Sequence, residues 1–340
     1  MPPPGFFNIN TVLLVADLYS GEDLIPLVDQ RRDLEKSSTR TVASIMQGIE
    51  HLGLPVIHIQ SLEELSERAA QHQSGDLVLS IYGGQRSRNR MALVPAICEA
   101  FDLRFVGPDV YGRIVCQDKE ISKRLALQCG VLTPRHYLIR SQSDLGRIAA
   151  KQFPLVVKPN FEGSSIGISK RSLVQDMEQL REVAAETLNT FAQPVLIEEF
   201  VPGQEVCYNI IEEKQTVHGR FAEIRLTGRP AYFDDNLFCA EEKSAWKGIE
   251  VLSIDDRLAD EDRRALHRLA DAIGHIGYCR VDGKLQNGRF HFLELTPDAW
   301  LDPVGAFPLS FTNSGWTYPE VLARVLNSER ASRPHQSSSG

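Results

Sequence analysis

From Phe153 to Lys170 the chain reads as an apolar strand ending in a lysine, a loop of glycines and serines, and a second short strand over Ile166 to Ser169. That order restricts the fold: a rigid strand delivers Lys158 as a point charge. The loop from Gly163 to Gly167 folds closely enough to offer N–H and hydroxyl donors to phosphate oxygens, through Ser164 and Ser165 among others. It is not a Walker loop, in which the lysine follows the glycines and a helix follows the lysine. Gly163 to Gly167 also fits the G-x-S-x-G pattern of a serine hydrolase, which demands a sharp strand-to-helix turn at Ser165. Pro-Asn-Phe-Glu after Lys158 and the strand-like Ile166 to Ser169 argue against that turn.

At 340 residues the chain exceeds what one core serves, so two or three packed domains are expected. A net charge of -8 excludes a generalist nucleic-acid binder but not a local basic pocket for one nucleotide. The N-terminal residues have no basic region, and Val12 to Ala16 is too short for a membrane span or a signal segment, so a cytoplasmic protein without membrane partners is expected. Cys98, Cys116, Cys129, Cys207, Cys239 and Cys279 are scattered singly, and the histidines lack metal-binding spacing.

Short apolar runs alternate with helical patterns through the first third, which predicts a parallel sheet covered by helices in residues 1–107. After the run Leu77 to Tyr82 come two glycines and Arg86, Arg88 and Arg90, at the strand end where open sheets bind ligands, which reads either as a solvated loop or as a hold on a substrate carboxylate. Residues 108–201 form a second unit, with helices at Asp118 to Cys129 and Gln142 to Gln152 and one capped by Ser172. Residues 202–327 form a third, and 328–340 a disordered tail.

Cys279 to Thr296 reads as two strands joined at Asn287-Gly288, a strong hairpin signal. Alternation sets Arg280 beside Asp282, and Glu294 beside Thr296. A two-residue loop pairs Asp282 with Leu293 and sends Glu294 to the other face. A three-residue loop from Gln286 to Gly288 puts both carboxylates on one face. Magnesium takes one or two carboxylates plus phosphate oxygens, so a site shared by Asp282 and Glu294 predicts the odd loop.

Lys158 with Glu162-Gly163-Ser164-Ser165, the run Ile197 to Glu205, and Arg280-Val281-Asp282 followed by Leu293-Glu294 together resemble the ATP-grasp superfamily, most closely the D-alanine-D-alanine ligase family. The resemblance implies an α/β (α+β) fold with an N-terminal parallel-sheet domain, a small central ATP-binding domain and a C-terminal antiparallel-sheet domain carrying the metal site. It implies ATP and magnesium, or manganese in its place, with small carboxylate and amine substrates, and leaves a homodimer open. Lys119 and Lys158 would contact phosphates, Ser164 and Ser165 would lie in the closing loop, and Glu198 would accept from the adenine amino group. Phe200 and Val201 would present backbone to the adenine edge, and Glu205 would bind the ribose hydroxyls. Asp282, Glu294 and Thr296 would hold the metal, while Arg280 would steady the transferring phosphoryl group and the later oxyanion. The implied activity joins a carboxylate to an amine through an acylphosphate.

Beyond Glu294 the likeness fails. Where the family continues Glu-x-Asn-Thr-x-Pro-Gly, this chain has Glu294-Leu-Thr-Pro-Asp-Ala-Trp300, and the family's loop lysine falls at Leu237, leaving Lys243 as a substitute. The expectation is therefore a ligase of amino-acid-like substrates other than two D-alanines, with Asp298 and Asp302 facing an ammonium group and Trp300 shaping the pocket.

Overall fold

The computed structural model describes residues 9–18, 36–72, 75–84, 87–148, 152–214, 216–239 and 248–329. Arg86 and Lys243 lie outside the described residues. Three sheets make up the frame.

The first holds β1 (Thr11–Val15), β2 (Val56–Ile59), β3 (Asp76–Ser80) and β4 (Arg104–Phe105) in the order β2-β1-β3-β4, all parallel. The centre of β1 and all of β3 are buried, as expected of strands covered on both faces. The covering helices are α1 (Thr39–His51), α2 (Leu62–Ala69) and α3 (Leu93–Ala100). Ser38 and Ser61 start the first two by accepting from the N–H groups of Thr41 and Glu64.

Two helices, α4 (Val110–Gln117) and α5 (Lys119–Gln128), lead into the second sheet. It contains β5 (His136–Ile139), β6 (Leu155–Pro159), β7 (Leu173–Val174) and β8 (Val195–Glu199), antiparallel in the order β5-β8-β6-β7, with α6 (Met177–Phe191) packed on β6. The expectations for this unit need three corrections. Ile166 to Ser169 is not a strand: Ser164 and Ser165 both take positive φ, 51° and 60°, and Ile166 and Ile168 hydrogen-bond back to the Gly163 and Ser165 carbonyls, making consecutive turns. Asp176, not Ser172, caps α6, because its carboxylate reaches the N–H groups of Glu178 and Gln179. In the segment before β6 the described helix is a 3-10 one over Gln142–Arg147, ended by extended backbone at Ile148, and residues 149–151 of the expected Gln142 to Gln152 helix lie outside the described residues.

The third sheet is antiparallel, in the order β11-β10-β9-β12-β13, built from β9 (Gln204–Glu213), β10 (Thr216–Leu226), β11 (Ile249–Ser253), β12 (Tyr278–Gln286) and β13 (Arg289–Thr296). A one-turn helix, α7 (Tyr232–Asp235), follows β10, and α8 (Asp260–Ile273) packs beneath the sheet through Leu266 and Leu269. The chain then returns to the first sheet. Ala299, Leu301, Phe307 and Phe311, with α9 (Ala306–Thr312) and α10 (Tyr318–Asn327), share one buried cluster with Leu14 and Leu79. Ser328 is buried and Glu329 pairs with Arg104, so the expected disordered tail does not begin at residue 328.

The β12–β13 turn settles the hairpin question in an unexpected way. Asn287 and Gly288 both take positive φ, 51° and 74°, and Gln286 faces Arg289, so the loop has two residues. The register nevertheless shifts between Asp282 and Gly283: Gly283 faces Phe292, while Asp282 faces Glu294. Leu293 is the extra residue of a bulge, which restores the parity that a two-residue loop takes away. Both carboxylates share a face, through a bulge and not through an odd loop.

Candidate active site

A cleft of about 560 Å³ opens between the three sheets. Its walls include Lys119, Lys158, Ser164, Ser165, Glu198, Phe200, Val201, Glu205, Arg280, Asp282, Glu294, Thr296, Asp298 and Trp300. Residues far apart in sequence therefore converge on one space.

Along β12 the Arg280 guanidinium grips the Asp282 carboxylate with two hydrogen bonds, Nε to Oδ1 at 2.7 Å and Nη2 to Oδ2 at 3.0 Å. Burial disfavours the charge on Arg280, yet the adjacent Asp282 outweighs it and raises the guanidinium pKa. Thr296 Oγ1 donates to Asp282 Oδ2 at 3.2 Å, and Lys119 Nζ lies 3.1 Å from Glu294 Oε2. Among the described residues no group of three or more His, Cys, Asp or Glu side chains could hold a metal. Asp282, Glu294 and the Thr296 hydroxyl instead form a sparse set of hard oxygens. Such a set fits magnesium that takes its remaining ligands from phosphate and water. Arg280 and Lys119 pair with the Asp282 and Glu294 carboxylates, so this cluster is close to electrically balanced.

Glu198 is almost fully buried and lies between two ammonium groups, 2.5 Å from Lys158 Nζ and 2.7 Å from Lys123 Nζ. Burial alone would raise the Glu198 carboxyl; the two lysines outweigh it and hold it below its usual range. Lys123 is brought down to about 8, chiefly by burial, with Glu198 opposing that shift. The sequence reading passed over Lys123, although it follows Lys119 by one helical turn. Expected as an acceptor for adenine, Glu198 is in this structure a counter-ion for Lys158. The Phe200 N–H also has a partner, the Pro154 carbonyl at 3.2 Å, and Phe200 and Val201 both line the cleft. Val156, Ile168, Phe200, Val201, Leu237 and Leu293 supply apolar wall for a flat ring.

Ser165 Oγ donates to the Phe238 carbonyl at 2.9 Å, joining the phosphate-type loop to the segment after α7. The turn after Ser165 opens no helix, and no histidine is among the residues lining the cleft, so neither the elbow nor a base for a serine nucleophile is present among the described residues. Lys119 also donates to the Glu162 carbonyl of this loop. Arg90, considered for a substrate carboxylate, is instead tied to the loop: its Nη2 donates to the Phe161 carbonyl at 3.0 Å and lies 3.3 Å from Glu162. Arg88 is exposed, with its guanidinium 5.4 Å from the Phe161 ring.

The segment after Glu294 separates the two aspartates predicted to meet substrate. Asp302 accepts from Thr41 Oγ1 at 2.8 Å and from the Val304 N–H at 3.1 Å, and it is not among the cleft-lining residues. It anchors the segment to α1 and does not face an ammonium group. Asp298 does line the cleft, but its carboxylate forms a buried ion pair with Arg113; burial raises its pKa and Arg113 opposes the rise. Trp300 lines the cleft. Gly305 makes its seat possible, since a Cβ there would meet the Trp300 carbonyl at 2.8 Å and the indole at 3.2 Å. Cys116 shares the wall, but burial pushes its thiol up to about 12, so it is no nucleophile.

Residues 132–327 match the family model of the D-ala D-ala ligase C-terminus, more than half of the chain. Among similar proteins, the D-alanine-D-alanine ligase of Aquifex aeolicus is 20% identical over 304 residues, covering 89% of this chain and 99% of that protein. The D-alanine-D-alanine ligase of Thermotoga petrophila is 25% identical, covering 86% and 92%. A solved D-alanine-D-alanine ligase of Bacillus anthracis complexed with ATP superposes with a TM-score of 0.68 at 19% identity, over 94% of this chain and 97% of that one. The VanG D-Ala:D-Ser ligase of Enterococcus faecalis gives 0.69 at 16% identity, over 94% and 99%. These structures share the architecture of a parallel four-stranded sheet beside two antiparallel ones. The chain belongs to the D-alanine-D-alanine ligase family, an ATP-grasp family of ATP-dependent carbon-nitrogen ligases.

Proposed function

We propose that this protein joins a carboxylate to an amine at the expense of ATP, through an acylphosphate, and that its substrates are amino-acid-like molecules other than two D-alanines. The observation that supports the reaction is the Lys119–Glu294 and Arg280–Asp282 pairing in the cleft that Ser164 and Ser165 also line. Trp300 in the cleft wall carries the change of substrate.

In the first stage a carboxylate oxygen of the acid attacks the γ-phosphorus of ATP, and the bond to the ADP oxygen breaks. Charge spreads over the transferring oxygens of a loose transition state, where fixed cations stabilise it best. Lys158 and Lys119 stand where they can turn from Glu198 and Glu294 to phosphate oxygens, and the Gly163 to Gly167 backbone covers them. Magnesium, held by Asp282, Glu294 and Thr296, would supply further charge neutralisation on the phosphates. In the second stage the amine nitrogen attacks the acyl carbon, and the tetrahedral oxyanion sits against Arg280. Collapse expels phosphate, the nitrogen gives up a proton, and an amide remains.

The magnesium set, the phosphate contacts, and the assignments of Phe200 and Val201 to the base and Glu205 to the ribose belong to this proposal. ADP release measured across pairs of amino acids and related acids tests it. The expected result is ADP only when an acid and an amine are both present, with D-alanine alone far below the best pair. Full turnover on D-alanine alone would remove the substrate part of the proposal. No ADP with any pair would point instead to a non-catalytic ATP-binding protein. No helix among the described residues is long and apolar enough to cross a membrane.

A further inference from the structure

Lys284 lies on β12 two residues beyond Asp282 and is 3% exposed, yet it lines the cleft. Its strand partner is Glu205 on β9, directly opposite in register. The ammonium is 3.0 Å from Glu205 Oε2 and donates to the Phe233 carbonyl at 2.7 Å and the Gly203 carbonyl at 3.2 Å. An ammonium has three protons, and these are three acceptors. It also stands 5.8 Å from the Phe200 ring centroid. A buried lysine so fully engaged cannot turn to a ligand, but it fixes what it holds.

What it holds is one oxygen of Glu205 and the backbone at both ends of the adjoining wall. Gly203 precedes β9, and Phe233 belongs to α7, whose following segment receives the Ser165 hydroxyl. The Glu205 side chain remains 13% exposed, and its other oxygen has no hydrogen bond among those of the described residues. A carboxylate pinned by one oxygen presents the second in a set direction, which suits a hydroxyl donor whose position is also fixed.

We propose that Lys284 is the positioning residue for ribose recognition: it orients Glu205 to accept from the sugar hydroxyls, so the preference for a ribonucleotide over a dideoxynucleotide depends on Lys284. The proposal rests on the assignment of ATP to this cleft and of Glu205 to its sugar. The test is calorimetric binding of ATP and of 2′,3′-dideoxyATP to wild-type protein, K284M, E205Q and the double variant, at one fixed magnesium concentration. A hydrogen bond to a charged group corresponds to roughly tenfold or more in affinity, so wild-type protein should prefer ATP by about that factor. K284M should lose most of that preference while holding dideoxyATP within about threefold of wild type, and the double variant should show no further loss of preference beyond E205Q alone.

If K284M weakens both nucleotides equally, Lys284 only supports the fold and the proposal is overturned. If wild-type protein binds ATP without preferring it, Glu205 does not read the sugar and the proposal is equally overturned, although ATP binding stands. If neither nucleotide binds, both the proposal and the assignment of ATP fall. Should K284M not fold, K284Q carries the same prediction, because its amide can still donate to the Phe233 and Gly203 carbonyls without the charge.

Discussion

At the scale of single residues, Arg280, Lys119, Lys123 and Lys158 are distinguished by being already paired. Arg280 holds Asp282, Lys119 meets Glu294, and Lys123 with Lys158 encloses Glu198. Unpaired charges at such depth would be expensive to bury, and each pair offsets that cost. Trp300 acts differently: it takes up volume where the family has a glycine, and Gly305 gives it room. Trp300→Gly should therefore raise kcat/KM for D-alanine relative to the enzyme's own best acid by about tenfold or more, since pocket volume is what discriminates small apolar substrates. Steady-state kinetics on the two substrates checks this. An unchanged ratio would mean that Trp300 is structural only.

At the scale of elements, the placement of Asp282 and Glu294 on one face rests on a bulge at Leu293. Inserting one alanine between Leu293 and Glu294 should leave the Asn287-Gly288 turn intact but carry Glu294 and Thr296 one residue further along β13, so that Glu294 no longer faces Asp282. The expected outcome is loss of the manganese paramagnetic-resonance signature of the protein–ADP complex, with far-ultraviolet circular dichroism unchanged. A retained signature would mean that the ion is held without Glu294 and Thr296 in these places. This hairpin also marks how much was legible in the sequence. Alternation and the Asn-Gly pair define two strands and a tight turn, because both signals are local. Nothing local distinguishes Leu293 as an extra residue within the run Phe290 to Leu295, so the facing of Asp282 and Glu294 could be stated only as a condition. Lys284 was not singled out from the sequence, although alternation puts it on the face of Arg280 and Asp282, and its partner Glu205 depends on β9 lying beside β12, an order that no spacing encodes. Lys123 and Glu198 meet across two elements for the same reason. The turns after Ser165 escaped because two serines took left-handed backbone that their residue type rarely adopts.

At the scale of the whole molecule, three sheets meet around one cleft, and each brings a different competence. The central sheet brings Lys158, Glu198 and the Gly163 to Gly167 loop, and the C-terminal sheet brings Glu205, Arg280, Asp282 and Glu294. The N-terminal sheet brings a wall that includes Tyr82 and Gly83, with Asp17 holding the Gly83 and Gly84 N–H groups at 2.8 and 3.2 Å. The segment after Glu294 departs from the family pattern and packs into the N-terminal core, so its changed residues reshape the space between sheets and leave the nucleotide cradle in place. The chemistry and the choice of substrates are thereby separable. The chemistry is tested most directly with the acid that gives the highest ADP release, labelled with oxygen-18 at both carboxylate positions and incubated with its amine and ATP. An acylphosphate route predicts one labelled oxygen in each phosphate released and one in each amide formed. Unlabelled phosphate, or label confined to the amide, would contradict it.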